Sequence, residues 1–327
     1  MDINYILMYG SAILCFVLTA IIARIYIPVL KSIKMGQKIL DIGPRWHKSK
    51  EGTPTMGGLF FIVPVTICCV ISVLITKEYS LLIHISFVFL NGCIGFVDDY
   101  VKFFKKQNKG LSASQKMVLQ FASAASYIYA LYATGYIDTS IAIPFSDIVF
   151  ELNTALYCVL ASVGIVFTVN SVNLTDGIDG LASSVTFIVM VFMAILGAKT
   201  ANPSAMVVSG AICGGMLGFL VYNFHPAKVF MGDTGSLFLG GAVSAMAFIL
   251  NCPLLIVFAG FMYYVESFSV IIQVTSYKLT GKRVFKMSPI HHHFEMSGWT
   301  EIKIVAVFTV IAAVVCAVGT FGFLPTL

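Results

Sequence analysis

The sequence predicts an all-α integral membrane protein. It is expected to form about ten transmembrane helices in one polytopic domain over residues 1–327, with an active-site cleft at the cytoplasmic face. Three observations predict this. Hydrophobic residues make up 58% of the chain and charged residues 11%, against about 25% charged in a soluble domain. Apolar runs of roughly 17–25 residues, the length that crosses a hydrocarbon core, recur from end to end. Lysine and arginine gather in alternate loops, as the positive-inside rule requires of a polytopic chain.

Taken in order, the spans fall near 5–29, 58–76, 80–97, 117–134, 153–169, 181–197, 204–222, 236–250, 254–274 and 303–323. The first lacks a basic n-region and a small-residue cleavage site, so it reads as a retained helix and not a signal peptide. Pro64 and the Gly214-Gly215 pair are tolerated in lipid, where small residues permit close packing. Lys31, Lys34, Lys38, Arg45, Lys48 and Lys50 follow span one, and Lys102, Lys105, Lys106, Lys109 and Lys116 follow span three. Lys228 follows span seven, and Lys278, Lys282, Arg283, Lys286 and Lys303 surround the last loop. Of the 20 basic residues only Lys77 and Lys199 fall in the opposite loops. The basic loops are therefore expected in the cytoplasm and both termini outside. The net charge of +5 follows the membrane and does not signal nucleic acid as a partner. Residues 135–153 form the one long outward loop, in which Ile141-Ala142-Ile143-Pro144-Phe145 suggests a short hairpin. The eight cysteines, none in Cys-x-x-Cys spacing, read as small buried hydrophobes.

Acidic and amide groups interrupt this pattern, and the interruptions fall on the lysine-rich side. Asp98-Asp99 ends span three. Adjacent helical side chains point about 100° apart, which predicts different partners. A helix C-terminus disfavours anions, which predicts compensation by lysines or a metal. The run Asn170-Ser171-Val172-Asn173-Leu174-Thr175-Asp176-Gly177-Ile178-Asp179-Gly180 follows span five without a basic residue. Asn170 and Asn173, and likewise Asp176 and Asp179, share a face if helical. Gly177 and Gly180 permit close approach of a ligand. A capped turn explains one of these residues and not five.

Met231-Gly232-Asp233-Thr234-Gly235-Ser236 enters span eight as a Gly-rich turn able to offer N–H groups to phosphate. Asp233 there could hold Mg²⁺, and simple N-capping explains the segment equally well. Ser288-Pro289-Ile290-His291-His292-His293-Phe294-Glu295, beside Arg283 and Lys286, reads as a phosphate site, because consecutive histidines do not easily converge on zinc. Glu266 shares a helix face with Gln273 and lies at bilayer depth, where a carboxylate requires a partner. Gly52-Thr53-Pro54-Thr55-Met56-Gly57-Gly58 leads into span two. This inventory at a lipid–cytosol boundary suits Mg²⁺-dependent phosphoryl transfer between a soluble phosphate compound and a lipid phosphate. A transporter would carry its charges nearer the midplane, and a lipid phosphatase would need a nucleophile motif that is not evident.

These segments, together with Leu111-Ser112-Ala113, Lys116, Gln120 and Pro226-Ala227-Lys228-Val229-Phe230, resemble the polyprenyl-phosphate N-acetylhexosamine-1-phosphate transferases over essentially the whole chain. The Gly-Thr-Pro-Thr-Met-Gly-Gly and Ser-Pro-Ile-His-His-His-Phe-Glu segments favour the muramoyl-pentapeptide branch over the N-acetylglucosamine branch. The resemblance implies a ten-helix, homodimeric enzyme of the bacterial inner membrane. Its reaction would transfer phospho-MurNAc-pentapeptide from UDP-MurNAc-pentapeptide to undecaprenyl phosphate, forming lipid I and releasing UMP. The resemblance further implies that Asp98, Asp99, Asp233 and His291 are catalytic, with Asp233 on Mg²⁺. It places Asn173, Asp176, Gly177 and Asp179 in the nucleoside site, Phe230 against uracil and Lys50 at the uridine. Thr53, Lys116, Asn170, Gln273, His292 and His293 complete the same substrate cleft. A phosphate monoester has a second pKa of about 6 and is mostly dianionic at neutral pH. Direct attack by the lipid phosphate is therefore expected over a covalent intermediate on Asp98.

Overall fold

The computed structural model describes residues 3–33, 50–105 and 110–323. Lys34, Lys38, Arg45, Lys48, Lys106 and Lys109, used above to orient the chain, lie outside them. In chain order the elements are α1 (Ile3–Ser32), α2 (Leu59–Thr76), α3 (Ser80–Phe104), α4 (Ala113–Ala133), β1 (Ser140–Ala142), β2 (Val149–Glu151) and α5 (Thr154–Thr175). They continue as α6 (Leu181–Lys199), α7 (Pro203–Asn223), α8 (Gly232–Ile249), α9 (Leu255–Ala259), α10 (Phe261–Thr280), α11 (Ile290–Glu295) and α12 (Glu301–Phe323). Among the described residues, eight helices are long and apolar enough to cross a membrane. The other two expected spans are α4 and α10, of 21 and 20 residues. Lys116 and Gln120 in α4, and Glu266 and Gln273 in α10, make these helices more polar than the rest.

The apolar window of α8 is 89% buried and that of α1 only 22%, so α8 is central and α1 peripheral, its large exposed side chains suited to lipid. The helix α8 packs between α3 and α5, and α7 packs between α1 and α6, with α2 also against α7. Gly210, Gly214 and Gly218 form a four-residue-spaced stripe where α7 meets the α1 backbone. Gly95 does the same for α3: a Cβ there would lie 2.0 Å from the carbonyl oxygen of Asp233. That contact brings the acidic end of α3 onto the first turn of α8.

Several boundaries differ from the sequence reading, for physical reasons. The helix α3 runs to Phe104 and not to residue 97, so Asp98 and Asp99 sit inside it. Lys102, one turn on, pairs with Asp98 at 2.6 Å and replaces the lost apolarity. The helix α5 reaches Thr175, which makes Asn170 and Asn173 helical. Asp176 and Asp179 instead lie in the turn before α6, not on one helical face. Span nine is divided at Gly260 into α9 and α10. The outer hairpin forms, with Ile141 opposite Phe150, but its return strand lies beyond Phe145. All eight cysteines are free, and five are buried.

Candidate active site

Three carboxylates converge where α3 meets α8. Asp98, Asp99 and Asp233 each place an oxygen within 4.8 Å of the others. Lys102 lies among them, with Nζ 2.6 Å from Asp98, 2.9 Å from Asp233 and 3.7 Å from Asp99. Lys116, from the first turn of α4, adds a second ammonium 2.8 Å from Asp233. Asn173 of α5 donates to Asp233 Oδ1 at 2.8 Å and to Ser236 Oγ at 2.7 Å. The two adjacent aspartates share Lys102 but have separate hydrogen-bond donors from the backbone. Asp98 accepts the Leu111 N–H at 2.8 Å. Asp99 accepts the Thr234 N–H at 2.9 Å and its hydroxyl at 2.7 Å, capping α8 from a neighbouring helix. The Thr234 N–H is thus taken by Asp99 and not left for phosphate. The hard, anionic oxygen set fits Mg²⁺.

A second cluster surrounds the turn after α5. Lys50 lies 2.7 Å from Asp179 and 2.7 Å from Glu301 of α12. Asp179 also meets His225 Nδ1 at 3.0 Å and accepts the Ala227 N–H at 3.0 Å. Glu301 accepts the Asp179 N–H at 3.0 Å. Asp176, between the two clusters, is half-buried and makes no hydrogen bond or ion pair with another described side chain. Burial, and then the charges of Asp233, Asp99 and Asp179, raise its carboxyl well above the usual range. Half-buried Phe230 is held by its backbone: its N–H donates to Pro54 O at 2.8 Å, and its carbonyl accepts the Gly57 N–H at 2.9 Å. Thr53 lies on the same strap, its N–H donating to Lys50 O at 3.1 Å. Asn170 turns to α4 and donates to Gln120 at 2.7 Å.

The histidine segment forms the short helix α11; its three side chains take different polar partners, although the His291 and His292 rings meet edge to face with centroids 4.2 Å apart. His291 is fully buried against Glu266, with Nδ1 3.0 Å from Oε1. His292 meets Glu295 at 2.5 Å. His293 Nδ1 accepts the Lys286 N–H at 3.1 Å. The Gln273 amide accepts from Val284 and Phe285 and donates to the Phe285 carbonyl, so it clasps the 284–285 loop.

Residues 80–251 match the family model for glycosyl transferase family 4. Residues 50–62 match phospho-N-acetylmuramoyl-pentapeptide-transferase signature 1. The chain is 48% identical over 311 residues to the phospho-N-acetylmuramoyl-pentapeptide-transferase of Clostridium botulinum (strain Alaska E43 / Type E3), covering 95% of this chain and 94% of that one. It is 44% identical over 315 residues to the enzyme of the same name from Clostridium kluyveri (strain ATCC 8527), covering 96% and 98%. The chain belongs to the phospho-N-acetylmuramoyl-pentapeptide-transferase family. The family signature begins at Lys50 and runs through the strap that holds Phe230. It thus joins the second cluster to the edge of the first.

The structure brings Asp98, Asp99, Asp233, Lys116 and Asn173 into one network, and Lys50 and Asp179 into another. It keeps Asn170, Gln273, His292 and His293 on partners outside both. Sequence reasoning missed His225 and Glu301, and used Lys102 only for orientation. One signal pointed to Glu301: a lone acid at a helix start, where the dipole favours it.

Proposed function

We infer that this protein transfers phospho-MurNAc-pentapeptide from UDP-MurNAc-pentapeptide to undecaprenyl phosphate, forming lipid I and releasing UMP. The observation that carries this reading is the three-carboxylate, two-lysine network at the bundle end of a chain with this family's signature. A transporter reading is disfavoured because the charges gather at helix ends. The signature over 50–62 favours the muramoyl over the N-acetylglucosamine branch.

In this reading an oxygen of the lipid phosphate attacks the sugar-bearing phosphorus, and the bond to UMP breaks. Mg²⁺, held by Asp233 beside Asp98 and Asp99, would supply charge neutralisation between the two phosphates. Lys102 and Lys116 offset the remaining negative charge, and Asn173 fixes the orientation of Asp233. Asp98 is buried, ion-paired and hydrogen-bonded, which suits orienting an acceptor better than nucleophilic attack. Asp176, Gly177, Asp179 and Lys50 take the nucleoside, with Phe230 stacking on uracil. Thr53, Asn170, Gln273, His292 and His293 shape the walls of the cleft, and His291 serves the reaction from beneath the Asp176–Gly177 turn.

The site is read as cytoplasmic and both termini as outside, because 18 of the 20 basic residues lie on the site's side. Labelling of Ser288→Cys from outside intact cells would contradict that orientation. The protein is read as a homodimer on resemblance alone, and a detergent-corrected mass of one 35.5 kDa chain would overturn this. The decisive assay mixes purified protein with UDP-MurNAc-pentapeptide, undecaprenyl phosphate and Mg²⁺ and scores UMP. No UMP in any of several detergents would defeat the reading. Exchange of labelled UMP into the UDP-sugar by lipid-free enzyme would replace direct attack with a covalent intermediate.

A further inference from the structure

Glu266 is a carboxylate in the second turn of the membrane-length helix α10, and none of its surface is exposed. Such a group persists only if something compensates it. The compensating group is His291, also fully buried, brought in by α11. The carboxylate meets the histidine twice: Oε1 lies 3.0 Å from the ring Nδ1, and Oε2 accepts the backbone N–H at 3.4 Å. The opposite edge of the ring faces the turn between α5 and α6. A Cβ on Gly177 would lie 2.2 Å from Nε2 and 2.5 Å from Cε1. Nε2, Nδ1 and Glu266 Oε1 all lack a hydrogen-bond partner among the described residues, so Oε1 and Nδ1 stand at ion-pair distance without being hydrogen-bonded. A fully buried ring nitrogen without a partner is rare and points to one that is supplied during function. Two more polar contacts fix α10 against α5: Ser267 to Ser171 at 2.7 Å and Tyr264 to Thr168 at 2.6 Å. Glu266 therefore stands on a backbone registered to the same helix that ends in Asp176.

We propose that Glu266 is a positioning residue for the transfer reaction: it holds the proton on Nδ1 of His291 and so aims Nε2 at the Asp176–Gly177 turn. This rests on the functional reading above. A carboxylate behind a histidine fixes both ring orientation and tautomer; behind metal-bound histidines the loss of such a partner costs about 10–100-fold in activity, and the same order is expected here. Glu266 touches no substrate; it acts only through His291.

The test is a double-mutant cycle on full-length protein in detergent, with ¹⁵N-histidine spectra of the same samples. Glu266→Gln should lower kcat/KM by about 10–100-fold in the wild-type background. It should lower it by less than about twofold in a His291→Asn background, since the residue it acts through is gone. The imidazole signal lost in His291→Asn should show a protonated Nδ1 in the wild type. Equal losses in both backgrounds, or a bare Nδ1, would overturn the proposal. If Glu266→Gln does not fold, the wild-type spectrum still decides. If the wild type releases no UMP, the functional reading fails while the spectrum still tests the Glu266–His291 arrangement.

Discussion

Gly177→Ala isolates the contact between the Asp176–Gly177 turn and His291. The backbone at this position is not left-handed, so alanine introduces no torsional strain and the effect is purely steric. Its methyl would stand 2.2 Å from Nε2, where ordinary contact begins at 3.4 Å, so ring or turn must retreat by about 1.2 Å. The ring is fully buried and gripped by Glu266. The turn is anchored two residues on by Asp179, which meets Lys50, His225 and the Ala227 N–H. Overpacking of this kind costs about 1–3 kcal/mol of stability. A shift of about 1 Å in a reacting site costs about a hundredfold in rate. We expect kcat/KM for UDP-MurNAc-pentapeptide to fall about 10–100-fold in the UMP-release assay, with the protein still folded. Gly164→Ala in α5 is the control: its Cβ would meet nothing within 4 Å, so activity should hold and Tm should not fall. A Gly177→Ala enzyme within twofold of wild type would refute the reasoning.

Four further outcomes are expected. Asp233→Asn should abolish turnover without unfolding the protein, because it removes the charge that Lys102 and Lys116 share; near-normal rates at limiting Mg²⁺ would remove Asp233 as the metal ligand. Phe230→Ala should weaken UDP-sugar binding by about 1–3 kcal/mol, the usual value of base stacking, as read by calorimetry. Glu301→Gln should raise KM more than it lowers kcat, since it frees Lys50 from one of its two carboxylates; an unchanged KM would place Lys50 outside the nucleoside site. Asp176→Asn should stabilise the ligand-free protein at neutral pH. The raised Asp176 carboxyl favours folding only while protonated. The Tm advantage of the asparagine variant should thus be absent in acid, grow as pH rises above the ordinary carboxyl value and level off once the raised value is passed; a pH-independent difference would contradict this.

The bundle was legible where hydropathy alone decides. The ends of α2 and α7 fall within about one residue of the apolar runs. The tail of α3 was not, because a helix persists through charges that pair along it, and the apolar run stops at Asp98. The candidate site was legible as anomalies: a run of Asn, Asp and Gly without lysine, and acids at span ends. What the sequence could not contain was convergence. Glu301 lies 122 residues from Asp179 yet accepts its N–H, and His225 carries no local pattern. The histidine triplet reads as unable to converge on one ion, but its three separate polar partners, Glu266, Glu295 and the Lys286 N–H, come from the fold and not from the spacing.

Lys102 deserves a last consequence. Three carboxylates within 4.8 Å of one another would ordinarily need an outside ion before a chain could close around them. Here a tethered ammonium stands among them at 2.6–3.7 Å. The chain can therefore be threaded into the bilayer and complete its fold before any cation arrives, unlike structural metal sites whose loading is folding itself. In the proposed reaction, loading would be an exchange of one cation for another. The lysine is a resident competitor whose effective concentration is set by the helix that carries it. In the proposed Mg²⁺-dependent reaction, such a competitor would keep the pocket's grip reversible, and turnover would track the supply of free divalent cation.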